Sequence, residues 1–145
     1  MDFYLAYGSN LNLQQMRWRC PTARVVGVTE IPDYELLFKG SKTGSYLTIE
    51  PRKGASVPVA VWAVTERDLA ALDRYEGYPS FYYKQAFTLP VNGKQRRCFA
   101  YIMHEDRPFG MPSKSYVQAC LEGYRAFQFD EKILKRAIKR TEEQL

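Results

Sequence analysis

Short apolar and aromatic runs, broken by glycine, proline and asparagine, set the pattern along this chain. Phe3 to Tyr7 is apolar throughout, the signature of a short buried strand. Gly8-Ser9-Asn10 breaks it. Asn12 can then cap a short helix, Leu13 to Arg19, that stops before Pro21. Ala23 to Ile31, Tyr34 to Phe38 and Tyr46 to Ile49 read as three strands, with Gly40 to Gly44 a flexible loop. Val57 to Val64 alternates and is β-branched, a further strand opened near Pro58.

Thr65 followed by Asp68 approximates a capping box for the next helix, whose apolar stripe is Leu69, Leu72 and Tyr75. Gly77 ends that helix and Pro79 prevents its continuation. Tyr82 to Leu89 and Arg96 to Met103 form a hairpin around Asn92-Gly93. His104 to Pro112 is a loop. Ser113 opens a helix to about Tyr124, and Asp130 caps the last one. Strands outnumber helices, and the strand–helix alternation of a doubly wound sheet is missing. These features predict an α+β fold: a mixed, strongly curved sheet forming a partial barrel, with a few packed helices.

The 145 residues match one domain, and a 46% hydrophobic fraction supplies one core without disulfides or metal. The expected organisation is a single domain over 1–145, with 130–145 a peripheral basic amphipathic helix. No apolar stretch of membrane-spanning length occurs. Asp2 stands where a signal peptide needs a basic residue, so a cytoplasmic protein is expected.

Three cysteines, Cys20, Cys98 and Cys120, lie far apart with no paired-ligand spacing, which supports buried thiols rather than a zinc site or disulfides. The single histidine, His104, precedes Glu105 and Asp106 in the loop and reads as solvated. Its being alone removes His/His metal sites and leaves no obvious Cys/His pair. The net charge is +5. Lys132, Lys135, Arg136, Lys139 and Arg140 recur at helical spacing beside Ile133, Leu134, Ala137 and Ile138. That describes an amphipathic helix with a solvated basic face, and no nucleic-acid partner is expected.

Two segments could carry chemistry. Tyr7-Gly8-Ser9-Asn10-Leu11 sits where a strand meets a helix. It is either an ordinary turn or a place where N–H groups at a helix start attract an anion. Leu72-Asp73-Arg74-Tyr75-Glu76-Gly77 ends a helix on a carboxylate flanked by Tyr75, Tyr78, Phe81, Tyr82 and Tyr83. Glu76 is either an exposed helix end or an acid whose pKa is raised by aromatic surroundings. The chain holds eleven Tyr and eight Phe, mostly core. Tyr101 and Tyr116 could offer phenols to a pocket.

Together the segments resemble the γ-glutamylcyclotransferase family, also called AIG2-like or BtrG-like proteins. The resemblance rests on Tyr7 to Leu11 after the first strand and on Leu72-Asp73-x-x-Glu76-Gly77 after the central strand and helix. Tyr83, Tyr101 and Tyr116 fall where the family places tyrosines. It spans the chain from Met1 to about Tyr124.

The resemblance implies a barrel-like sheet and a cavity lined by the first loop. It implies Glu76 as the general base and Tyr7, Gly8, Ser9, Asn10, Leu11, Tyr83 and Tyr116 around a small γ-glutamyl substrate, with no cofactor. Asn10 is similar to the branch acting on γ-glutamyl amino acids or on γ-glutamyl-protected intermediates. The glutathione branch tends to carry Leu there, and the γ-glutamylamine branch Thr and Leu at positions 9 and 10. Cyclisation to 5-oxoproline would suit these residues, because the substrate's own α-amine is the nucleophile. γ-Glutamylamines as substrates, and a non-catalytic ligand-binding domain of the same fold, are the alternatives. The oligomeric state is left open, a homodimer among the states allowed.

Overall fold

The computed structural model describes residues 2–145. Its elements are β1 (Asp2–Ala6), a 3-10 turn (Ser9–Leu11), α1 (Leu13–Arg19), β2 (Arg24–Ser41), β3 (Gly44–Val64), α2 (Glu66–Glu76), β4 (Tyr82–Val91), β5 (Lys94–Met103), α3 (Lys114–Ala126) and α4 (Glu131–Glu142). The sheet runs in the order β2-β3-β1-β5-β4. β1 is antiparallel to β3 and parallel to β5, so the sheet is mixed.

The three strands expected between Ala23 and Ile49, with the one beginning at Val57, merge into two long ones. β2 pairs with β3 from Arg24–Ala63 to Ser41–Gly44, with irregularities after Val25 and after Pro32. Pro32-Asp33 reads as a break from sequence but is a bulge. Asp33 takes a positive φ of 61°, and its carboxylate accepts the Gly54 amide at 2.9 Å on the partner strand. A bulge bends a strand and increases its twist without ending it. The expected loop from Gly40 to Gly44 is accordingly only the tight turn of this hairpin.

These bends curl the sheet until its two outer strands approach. Tyr34 of β2 and Phe87 of β4 meet edge to face at 5.4 Å, and the Asn92 amide donates to the Val26 carbonyl at 2.9 Å. No ladder joins β2 to β4, so the barrel stays partial. The central strands are buried on both faces, as the unbroken buried runs 4–6, 57–64 and 100–103 show. The core includes Leu5, Phe38, Ile49, Val61, Leu72 and Tyr101.

The open edge of β2 is covered. Thr141 of α4 accepts the Phe38 amide at 3.1 Å, and Arg140 donates to the Leu36 carbonyl at 2.6 Å and pairs with Glu35 at 3.0 Å. The chain at Pro108–Gly110 exchanges backbone bonds with Gly40 and Phe38. Polar groups that would otherwise template aggregation are thereby satisfied. Arg140 therefore belongs to this dock, whereas Lys132, Lys135, Arg136 and Lys139 face solvent. Cys20, Cys98 and Cys120 are buried free thiols. His104 is not simply solvated: its ring nitrogen lies 2.7 Å from the Pro79 carbonyl oxygen. No helix among the described residues is long and apolar enough to cross a membrane.

Candidate active site

Local chemistry fixes both walls of the site. In α2 the Thr65 hydroxyl accepts the Asp68 amide at 3.2 Å and the Asp68 carboxylate accepts the Thr65 amide at 3.1 Å, a complete capping box. Gly77, at φ 66° and ψ 38°, closes the other end in the left-handed conformation that favours glycine. Glu76 is thus the last helical residue. On the opposite wall Asn12 caps α1 by accepting the Gln15 amide at 3.1 Å. The 3-10 turn before it uses the Leu11 and Asn12 amides, bonded to the Gly8 and Ser9 carbonyls. Among the described residues, the Ser9 and Asn10 amides donate to no backbone carbonyl.

The two walls enclose a cavity of about 190 Å³. The amino-terminal segment lines it with Tyr4, Tyr7, Gly8, Ser9 and Asn10, and β3 adds Tyr46 and Leu47. Tyr75 and Glu76 come from the end of α2, joined by Phe81, Tyr82, Tyr101 and Tyr116. Gly8 permits close approach, since a Cβ there would lie 3.1 Å from the Tyr116 hydroxyl.

Of the residues expected from sequence, Tyr7, Gly8, Ser9, Asn10, Glu76 and Tyr116 line this hollow. Leu11 and Tyr83 do not. Leu11 is fully buried beneath α3, where it packs against Gly123. Tyr83 hydrogen-bonds Glu105 and leans on His104, outside the hollow. Strand alternation is the reason: of two adjacent tyrosines only one can point inward, and it is Tyr82. Tyr82 donates to the Leu47 carbonyl at 2.8 Å. Tyr4, Tyr46 and Leu47 were not foreseen as site residues. Tyr4 precedes Ala6 and Tyr7 in one apolar run, which gives no sign of which side chain meets a ligand.

Glu76 is half-buried and faces the cavity. No Lys or Arg among the described residues forms an ion pair with it. Burial pushes its carboxyl up to about 8, and the Arg19 guanidinium pulls it back down in part. Burial also holds the Tyr4, Tyr7 and Tyr82 phenols well above their ordinary range, with the Glu76 charge the next cause. Tyr116 is raised likewise by burial, then by Cys120. The Cys120 thiol is itself pushed up to about 12 by burial, so it is protonated and a poor nucleophile.

The site therefore offers a carboxyl with a raised pKa, neutral phenols and, among the described residues, the Ser9 and Asn10 amides without a backbone acceptor. Among the described residues no cluster of His, Cys, Asp or Glu could hold a metal. This set suits a reaction in which the substrate carries its own nucleophile and the protein moves protons.

Comparison with known proteins points the same way. Residues 4–118 match the family described as "Gamma-glutamyl cyclotransferase, AIG2-like". The human protein named gamma-glutamylcyclotransferase is 33% identical over 124 residues, covering 78% of this chain and 64% of that protein. The bovine protein of the same name is 32% identical over 131 residues, covering 83% and 68%. The chain thus spans 64% of the human relative's length. Among solved structures, an uncharacterized human protein superposes with a TM-score of 0.82 at 27% identity, covering 94% of this chain and 85% of that one. One titled "Gamma-glutamyl cyclotransferase" gives a TM-score of 0.79 at 26% identity, with the same coverage.

Proposed function

Since this chain belongs to the gamma-glutamyl cyclotransferase, AIG2-like family, we propose that it cyclises a γ-glutamyl group to 5-oxoproline and releases the attached amino acid or amine. The reading is supported above all by Glu76 and the Gly8–Asn10 backbone lining one cavity.

The substrate's α-amine attacks its own γ-carbonyl carbon. One C–N bond forms within a five-membered ring, and the bond to the leaving nitrogen breaks. Ionised Glu76 takes the proton released by the attacking nitrogen and returns it to the leaving nitrogen, so the carboxylate is regenerated. A carboxyl with a pKa near 8 is suited to both transfers at neutral pH. The unpaired amides of Ser9 and Asn10 hold the substrate carboxylate, which fixes the folded conformer from which closure occurs. Tyr7, Gly8 and Tyr116 complete the substrate's surroundings; Leu11 supports the loop from behind, and Tyr83 has no part. Three buried free thiols fit a reducing, cytoplasmic setting.

The test is 5-oxoproline release from a panel of γ-glutamyl amino acids and γ-glutamylamines. Release is expected from the amino-acid series first. Glu76→Gln should keep the fold and lose on the order of a hundred- to ten-thousandfold in rate. A Gln variant that turns over normally refutes the assignment.

A further inference from the structure

Three of the phenols that line the cavity with Glu76 have committed their protons elsewhere. Tyr7 donates to the Tyr101 carbonyl at 2.5 Å, Tyr82 to the Leu47 carbonyl at 2.8 Å, and Tyr101 to the Asp73 carboxylate at 2.6 Å. Tyr116 accepts the Leu47 amide at 3.1 Å and rests against Cys120. Tyr4 differs. Its hydroxyl oxygen accepts the Asn10 side-chain amide at 2.8 Å, and its own proton meets no acceptor among the described residues.

The direction of that bond is dictated from outside the cavity. Arg19 hydrogen-bonds the Asn10 side-chain oxygen. A guanidinium has donors only, so it must face the amide oxygen, and the amide nitrogen is thereby turned to Tyr4. Arg19 is itself fixed: it stacks 3.5 Å from the Tyr75 ring centroid and reaches Gln15 one helical turn earlier at 3.4 Å. Its positive charge polarises the amide and makes the chain of bonds cooperative.

We infer that Tyr4 is a substrate-facing hydrogen-bond donor that meets the γ-carbonyl oxygen as charge develops on it, and that Arg19 is the positioning residue that aims it through Asn10. The inference rests on the cyclotransferase reading of the cavity. Tyr4 and Glu76 line the same hollow, so a substrate held there can meet both the phenol and the carboxylate. A donor aimed at developing charge stabilises the transition state more than the ground state, so it acts on kcat more than on KM. The Tyr4 ring is held independently by edge contact with Tyr101 at 5.7 Å and by Phe99 at 5.6 Å. Removing the hydroxyl therefore leaves the packing intact.

The experiment is a double-mutant cycle on steady-state kinetics with the best γ-glutamyl substrate, read on the high-pH plateau where Glu76 is ionised. Tyr4→Phe should lower kcat by about tenfold or more with KM nearly unchanged. Arg19→Leu should also lower kcat, yet cost less than about threefold when added to Tyr4→Phe, because both act through one hydroxyl. Arg19→Lys, which keeps the charge but not the fork, should recover only part of the loss. Arg19→Leu alone should also move the acidic limb of the pH profile upward, a change that a purely structural role would not produce. Unchanged kcat in Tyr4→Phe, a loss confined to KM, or additive losses in the cycle would overturn the inference. Glu76→Gln is run beside them: if it is inactive, those outcomes fall on Tyr4 and Arg19 alone; if it is active, the underlying reading has failed.

Discussion

The hydroxyls of Ser9 and Tyr75 lie 2.8 Å apart, joining the amino-terminal loop to the residue immediately before Glu76 across 66 positions of sequence. One bond thus ties the segment with unpaired amides to the helix end that carries the acid. The Tyr75 ring is in turn covered by Arg19, so the tie sits in a braced frame at the cavity wall.

Tyr75→Phe removes that bond and keeps the ring under Arg19. A neutral hydrogen bond contributes about 1 kcal/mol net, equivalent to about fivefold in binding. KM should rise by about that factor, with kcat and the melting temperature little changed. Substrate titration at fixed pH checks it; an unchanged KM would show that the loop and helix hold their places without the tie.

Activity and stability should respond to pH in opposite directions. Only ionised Glu76 accepts a proton, so kcat/KM should climb about tenfold per pH unit and level off near 8. The same carboxyl binds its proton more tightly in the folded chain than in the unfolded one, where its pKa is about 4.3. Its contribution to stability is fully present below the unfolded value and is lost as pH rises through about 8. The effect is on the order of a few kcal/mol. Melting curves across this range should slope downward for the native protein more than for Glu76→Gln. Parallel slopes would place the carboxyl in bulk solvent.

Gly123 sets the position of the first loop from behind. A Cβ there would lie 2.5 Å from the Leu11 Cβ, 2.6 Å from the Leu11 carbonyl carbon and 2.9 Å from the Asn12 nitrogen. Alanine suits a helix better than glycine by about 1 kcal/mol, but two backbones must part to admit it. Gly123→Ala should therefore destabilise by about 1–3 kcal/mol and raise KM, because the shifted loop carries the Ser9 and Asn10 amides. Denaturant unfolding together with kinetics tests this; a variant of native or greater stability would mean that α3 does not clamp the loop.

Features decided within a few residues were determined by the sequence alone. Asn12 and Thr65 cap their helices, Gly77 ends α2 on Glu76, and Asn92-Gly93 turns the last hairpin, because each depends on hydrogen bonds or backbone angles spanning four residues or fewer. The two motif segments were legible for the same reason, each being contiguous.

Only the tertiary structure decided which residues line the cavity. Tyr82 rather than Tyr83 points inward because the strand's phase against the core is set by pairing with β5, not by either residue. Pro32-Asp33 bends a strand instead of ending it because Gly54, on another strand, satisfies the bulge. Arg19 reaches the site through a buried asparagine that local pattern reads only as part of a turn. Burial raises the Glu76 carboxyl to about 8 although local pattern reads it as an ordinary helix end, and that burial exists only once the chain has folded around it.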